Sequence, residues 1–188
     1  KDMAGLLTPM ISAELIAELR KAITLPIHLH CHATAGTAEM CQLKAIENGC
    51  THIDTAISSF AGGASHPPTE SMVAALRGTT YDTGIDLKAV QNIGFYFKEI
   101  RKKYHQFESE MTGLDTRVQI YQVPGGMISN LYTQLREQGA LNHIEKVLQE
   151  IPRVREDLGY PPLVTPTSQI VGTQAVLNVL TGESYKTI

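Results

Sequence analysis

A chain of 188 residues with 16 Lys+Arg, 19 Asp+Glu, 43% hydrophobic residues and no Trp has the composition of an ordinary globular protein, not of a disordered or collagen-like one. Its nearly balanced charge, −3 with His neutral, provides no basic field to hold a phosphate backbone, so nucleic acid is not an expected partner. The most apolar runs, such as AVLNVL near the end, fall far short of the roughly 20 residues of a membrane helix.

The length suits one domain, or one and a half. Lys1 stands where an initiator Met would be, and KDMAGLLTP reads as a strand end running into a capped helix, so the chain is expected to start at an interior cut. Thr8 caps and Pro9 opens a helix predicted over Pro9–Ala22, because Ile11, Leu15, Ile16 and Leu19 repeat at helical spacing. After Pro26, IHLHCH alternates strictly and predicts a two-faced strand over 27–32. Ala38, Cys41 and Ala45, with Leu43 and Ile46, form the next helical stripe, which Gly49 ends.

CTHIDTA at 50–56 reads as a second strand, so strand, helix and strand make one βαβ unit with ligand groups expected at the strand C-termini. SSFAGGASHPPTES is a loop of the kind that builds sites, followed by a short helix over 68–77. After Gly78 the pattern changes. Helices are expected over 86–104, from the Pro124-Gly125-Gly126 turn to about Gly139, over 142–157 and over 168–180, with a strand over 117–122. The organisation is then two regions: alternating β/α over 1–78 and mostly helical over 79–188.

Three cysteines, Cys31, Cys41 and Cys50, have no CxxC spacing, and no signal-like leader precedes them, which suits a reducing, cytoplasmic setting. His28, His30 and His32 occupy alternate positions of one strand and therefore one face, with neighbours roughly 6.5–7 Å apart at Cα. Two of them can converge on a divalent cation that suits imidazole, or the row can be simply hydrogen-bonded. Asp54 on the next strand is either a further ligand or a loop-bonding carboxylate. Lys1 would repel a metal unless CO₂ made it an anionic carbamate. VTPTSQ at 164–169 sets Thr165, Thr167 and Ser168 before an apolar helix and reads, taken alone, as a helix cap. His52, His66, His105 and His143 read as structural or solvated.

KDMAGLL, IHLHCHATAG, HIDTAISSFAGGASHPPTES, QVPGGMISNL and IPRVREDLGYPPLVTPTSQIVGTQAVLNVLTG, in that order, resemble the carboxyltransferase domain of biotin-dependent enzymes. That family includes the oxaloacetate decarboxylase alpha subunit, the separate carboxyltransferase subunit of two-part pyruvate carboxylases and the oxaloacetate-side subunit of transcarboxylase. The resemblance implies an α/β fold in which the later β/α units of an incomplete (β/α)8 TIM barrel are followed by a mostly helical C-terminal region. It also implies a site: Lys1 as carbamate, His30 and His32 as metal ligands, Thr165 as the proton shuttle, and Ser168 and Gln169 lining the biotin pocket. The metal it implies is zinc, or else cobalt or manganese.

In that mechanism the ion stabilises the enolate of pyruvate while the carboxyl group moves from oxaloacetate to biotin. Biotin must come from another domain or chain, since no M-K-M attachment segment occurs here. Ala33 and Gln169 stand where many pyruvate carboxylases have Asp and Lys. Both favour the decarboxylase and transcarboxylase branch, with the decarboxylase alpha subunit the nearest member. The family resemblance also implies a biotin-carrier domain, a homodimer and, for a decarboxylase, membrane-embedded sodium-pump subunits that would bring it to the inner face of the membrane.

The family's early-strand metal-binding Asp and its substrate-binding Arg and Gln have no counterpart in these 188 residues. A full barrel takes about 250 residues. The chain alone is therefore expected not to turn over oxaloacetate. A non-catalytic assembly module and an acyl-CoA lyase or synthase sharing the HxH strand are the competing readings; PGGM and VTPTSQ suit the lyase less well.

Overall fold

The computed structural model describes residues 1–108 and 113–188. Two compact units form, Lys1–Thr116 and Arg117–Ile188.

The first unit opens with α1 (Pro9–Ala22), capped as its sequence dictates: the Thr8 side chain accepts from the Ile11 N–H and Pro9 occupies the first turn. Strand β1 (His28–Leu29), helix α2 (Ala38–Glu47) and strand β2 (His52–Ile53) follow, and the strands pair in parallel with His28 opposite His52 and Leu29 opposite Ile53. Regular strand geometry is shorter than the alternation suggests. Isolated parallel bridges, Asp2 to Cys31 and Ala56 to Pro68, extend the array on both sides. Four extended segments therefore lie side by side in chain order.

The core of this unit is on one side of β1. Ile27, Leu29, Cys31 and Ala33 are buried together with Ile16 of α1 and with Ala38, Cys41 and Ala45 of α2. Burying side chains of this size is worth roughly 1.5–3 kcal/mol each for the larger ones, and it fixes which face the intervening histidines occupy. All three cysteines are free and buried. A hydrogen bond with Cys41, then burial and the nearby Asp2, push the Cys31 thiol up from its ordinary value.

Helix α3 (Thr69–Leu76) and helix α4 (Leu87–Lys102) complete the unit, the second capped by Asp86, whose carboxylate accepts from the Lys88 and Ala89 N–H groups. The change of character at Gly78 is not where the compact units divide. Helix α4 packs against α3 and the 3-10 turn Ser58–Phe60, so it belongs with the β/α elements. Gly94 permits that approach, because a Cβ there would come within 2.5 Å of Glu70 Oε1.

The second unit contains α5 (Val118–Tyr121), α6 (Gly125–Glu137), α7 (Ile144–Asp157) and α8 (Thr167–Thr181). The strand expected over 117–122 is instead a single helical turn. Val118 is fully buried, and Gln122 ends the turn in the left-handed region at φ 57°. In α7, Ile144, Val147, Leu148, Ile151 and Val154 form one buried stripe at helical period. Helix α8 contributes Val171, Ala175 and Val176. Among the described residues no helix is long and apolar enough to cross a membrane.

Candidate metal and carboxyl-transfer site

The alternation of β1 that buries Leu29 and Cys31 turns His28, His30 and His32 to the opposite face. Their surroundings differ. His28 is half-exposed, whereas the side chain of His30 retains 21% exposure. Asp54, just beyond β2, lies behind both: its carboxylate receives His28 Nε2 at 2.7 Å and His30 Nδ1 at 2.6 Å. Partial burial opposes ionisation of this carboxyl, but the hydrogen bonds from His28 and His30 outweigh it and hold Asp54 below the usual carboxylate range. An ionised Asp54 can only accept, so Nδ1 of His30 carries a proton and its Nε2 is the nitrogen left facing the other rings.

That Nε2 lies 3.2 Å from Nε2 of His32. Two nitrogens bound to one tetrahedral ion at 2.0–2.1 Å stand about 3.3 Å apart. Burial, together with the neighbouring His66 and His30 rings, holds His32 below the ordinary histidine value and favours its neutral, metal-binding form. His32 Nδ1 is buried without a hydrogen-bond partner. Two imidazole nitrogens converging at this distance, one ring oriented by a carboxylate on its other nitrogen, suit a borderline divalent cation.

His66, expected to be structural or solvated, is brought beside this pair by its loop, its ring centroid 4.4 Å from that of His30 and 4.9 Å from that of His32. Ala33 N–H donates to the Ser65 carbonyl at 2.8 Å, Gly62 N–H to the His66 carbonyl at 2.9 Å, and Ala56 N–H to the Pro67 carbonyl at 2.9 Å. Gly62 and Gly63, both at positive φ, make the turn that allows it. His30, His32 and His66 each present a nitrogen within 4.8 Å of the others. The signal available in the sequence is a histidine between a Gly-Gly turn and Pro67-Pro68, one step from a strand carrying HxH.

Lys1 is exposed and directly precedes the Asp2–Cys31 bridge. The Asp2 carboxylate is 3.6 Å from Cys31 Sγ, and the Asp2 N–H donates to the His30 carbonyl at 2.8 Å, so the residue next to Lys1 is paired with the histidine strand. Asp2 also organises the turn that follows, accepting from the N–H groups of Gly5 (2.9 Å), Leu6 (3.0 Å) and Leu7 (2.8 Å). Gly5 sits at φ +71° with the His32 carbonyl 2.8 Å from where a Cβ would be. The KDMAG motif thus ties Lys1 to the histidine strand through backbone contacts.

Within the second unit, Thr165 is exposed immediately before α8, and Ser168 and Gln169 lie in that helix's first turn. Thr167, rather than capping the helix, donates its hydroxyl to the carbonyls of Val164, at 2.8 Å, and Pro162. Backbone bonds from Ser168 N–H to the Val164 carbonyl (2.9 Å) and from Gln169 N–H to the Pro166 carbonyl (3.0 Å) hold the segment around Thr165. The Thr165–Pro166 peptide is cis. Three of the residues expected to handle biotin chemistry are thereby gathered at one helix start.

Comparison with known proteins gives these features a family. The HMGL-like family model matches residues 1–95, and the conserved carboxylase domain model matches residues 118–188. A pyruvate carboxylase subunit of Methanocaldococcus jannaschii is 62% identical over the whole chain, which spans 33% of that relative. The methylmalonyl-CoA carboxyltransferase 5S subunit of Propionibacterium freudenreichii is 50% identical over 99% of the chain, which spans 37% of it. The carboxyl transferase domain of Rhizobium etli pyruvate carboxylase, solved with 3-hydroxypyruvate, superposes with a TM-score of 0.94 at 36% identity, covering 98% of this chain and 31% of that one. The chain thus spans about a third of the length of these two curated relatives. Its fold is that of the later β/α units of a TIM barrel followed by a mostly helical region. With residues 1–95 making half of its length, the chain belongs to the HMGL-like family and continues, over residues 118–188, into the conserved carboxylase domain.

Proposed function

We propose that this chain is part of a biotin-dependent carboxyltransferase that exchanges a carboxyl group between a 2-oxo acid, in the pair oxaloacetate and pyruvate, and biotin carried by another domain or chain. The observation that carries this reading is the pair of Nε2 atoms of His30 and His32, 3.2 Å apart, with Asp54 behind His30. The names of the relatives, a pyruvate carboxylase subunit and a carboxyltransferase subunit, support the same chemistry.

In this reading His30, His32 and a carbamate of Lys1 would hold a divalent ion, zinc first, which suits imidazole, with cobalt or manganese as the alternatives. Such an ion supplies Lewis-acid polarisation of the 2-oxo acid carbonyl. Asp54 keeps His30 in the tautomer that binds through Nε2. Thr165 moves the proton. As the carboxyl group leaves oxaloacetate and its carbon bonds the biotin nitrogen, the proton of that nitrogen passes to Thr165 Oγ1, and the hydroxyl hydrogen goes to the substrate carbon left behind. A hydroxyl suits this because it donates and accepts at once, and the β-branch of Thr restricts χ1. Ser168 and Gln169, beside Thr165 in sequence, line the place of the biotin ring. Run towards biotin, the exchange releases pyruvate; run in reverse, it carboxylates pyruvate.

The test is carboxyl exchange in the intact protein with its biotin carrier. Thr165→Ala is expected to lower turnover by about 10²–10⁴-fold, the scale of a general acid–base group, with bound metal unchanged on elemental analysis. Wild-type turnover in Thr165→Ala overturns the assignment.

A further inference from the structure

We propose that Arg155, in the last turn of α7, is a positioning residue for carboxyl transfer: its guanidinium joins the chain reversal at Gln122 to the one that leads into the Thr165 loop, and so fixes where the Thr165 hydroxyl stands. The inference rests on the reading of Thr165 as the proton shuttle and adds a group that acts through it.

Arg155 holds its surroundings at three points. Its backbone carbonyl accepts from the Tyr160 N–H at 2.8 Å. Its Nε donates to the Pro161 carbonyl at 3.2 Å, and its Nη1 donates to Gln122 Oε1, also at 3.2 Å. Both acceptors are neutral oxygens, so what the guanidinium supplies here is direction. Donors fixed in one plane meet two acceptors at once, which the single ammonium of a lysine cannot reproduce. The two reversals are themselves unusual, since Gln122 and Tyr160 both sit at φ 57°. Residues other than glycine are uncommon in that region, and they persist where their surroundings over-determine them, as at functional sites. Arg155 contacts the first directly and grips the second from both sides.

The restraint reaches Thr165 through a short series of hydrogen bonds. Beyond Pro161, the Pro162 carbonyl accepts from the Val164 N–H at 2.9 Å and from the Thr167 hydroxyl. The Val164 carbonyl accepts from the same hydroxyl at 2.8 Å and from the Ser168 N–H at 2.9 Å. Leu163 is buried between these bonds. Thr165 itself is exposed, so its neighbours on either side set its place: the first turn of α8 follows it, and Arg155 fixes the approach.

The experiment is carboxyl exchange in the intact protein with its biotin carrier, with Arg155→Ala and Arg155→Lys measured alone and on the Thr165→Ala background. Arg155→Ala is expected to lower kcat by about 10–100-fold, the scale of a misplaced reacting group, with KM for oxaloacetate and bound metal unchanged. Millimolar methylguanidinium, but not methylammonium, should restore at least part of that loss. Arg155→Lys should lose nearly as much, and on the Thr165→Ala background neither substitution should cost more. Wild-type kcat in either variant overturns the proposal, as does a loss that methylguanidinium leaves unchanged or that adds in full to that of Thr165→Ala. If Arg155→Ala does not fold, Arg155→Lys decides by the same kcat and additivity. Wild-type turnover in Thr165→Ala overturns the shuttle reading beneath it, whereas an inactive Thr165→Ala beside a fully active Arg155→Ala overturns the role of Arg155 alone.

Discussion

His30 and Asp54 are joined by a 2.6 Å hydrogen bond from Nδ1 to a carboxylate that also has His28 Nε2 on its other oxygen. One carboxylate thus serves two rings, only one of which faces the converging nitrogens. Asp54→Asn is expected to weaken Co²⁺ or Zn²⁺ binding by about 10–100-fold, the usual cost of losing such a partner. His28→Ala is expected to leave affinity within a few-fold, because it removes only the outward arm. Equal losses in the two variants, measured by competition with a chromophoric chelator, would contradict this division of roles.

The two faces of β1 give opposite stability expectations. Leu29→Ala empties a core position and should cost about 2–5 kcal/mol in denaturant unfolding. His28→Ala, on the half-exposed face, should stay within about 1 kcal/mol. A comparable loss from both would mean that the strand is not divided in this way.

Gly5→Ala meets two obstacles at once: a left-handed backbone at φ +71° and a backbone carbonyl, that of His32, 2.8 Å from the new Cβ. A carbonyl in a paired segment cannot turn aside as a flexible side chain can. The variant should lose roughly 1–3 kcal/mol of stability and also bind metal less tightly, since the strain falls on a ligand. Gly62→Ala, where a Cβ has open space around it, carries the φ penalty alone and should cost less.

Thr165→Ser keeps the shuttle hydroxyl and frees its χ1. Turnover should fall by roughly tenfold or less, against the far larger loss in Thr165→Ala. Single-turnover carboxyl transfer would separate the two; a Ser variant as inactive as the Ala variant would argue for a steric role of the methyl group.

In the second unit, a hydrogen bond from Arg153, with another from Asn178 at 2.9 Å, holds Glu150 below its ordinary value of 4.5. A depressed carboxyl stabilises the folded state fully above its unfolded pKa, and that stability is lost as pH falls through the folded pKa. Acid unfolding of this unit should therefore steepen below about pH 4.5, and Glu150→Gln should flatten the dependence. An unchanged acid midpoint in the variant would show that Glu150 does not couple to folding.

Much of this is legible in the chain itself. Thr8-Pro9, the helical stripes and the alternation of IHLHCH each carry a local physical signature, so α1, β1 and the HxH face can be read directly. The turn at 117–122 cannot: RVQIYQ has strand-forming residues, and only the burial of Val118 in its tertiary setting selects a helix. His66 is hidden for a related reason. Periodicity says nothing about a loop, and the return path depends on a backbone bond between Ala33 and Ser65, far apart in the chain. The role of Asp54 is half visible: its place at a strand end is clear, but its position behind the rings requires the register His28 opposite His52.

The segregation of β1 also governs which elements of the periodic table this site can accept. Cys31 sits between His30 and His32, yet it is 1% exposed among aliphatic neighbours and its sulfur points away from them. A thiolate one residue to either side would have drawn cuprous, cadmium or mercuric ions and would have made the centre vulnerable to peroxide. Behind the strand, the sulfur is a packing atom with its proton retained. Inserting a single residue ahead of His30 would reverse the faces and turn a nitrogen site into a thiophilic one.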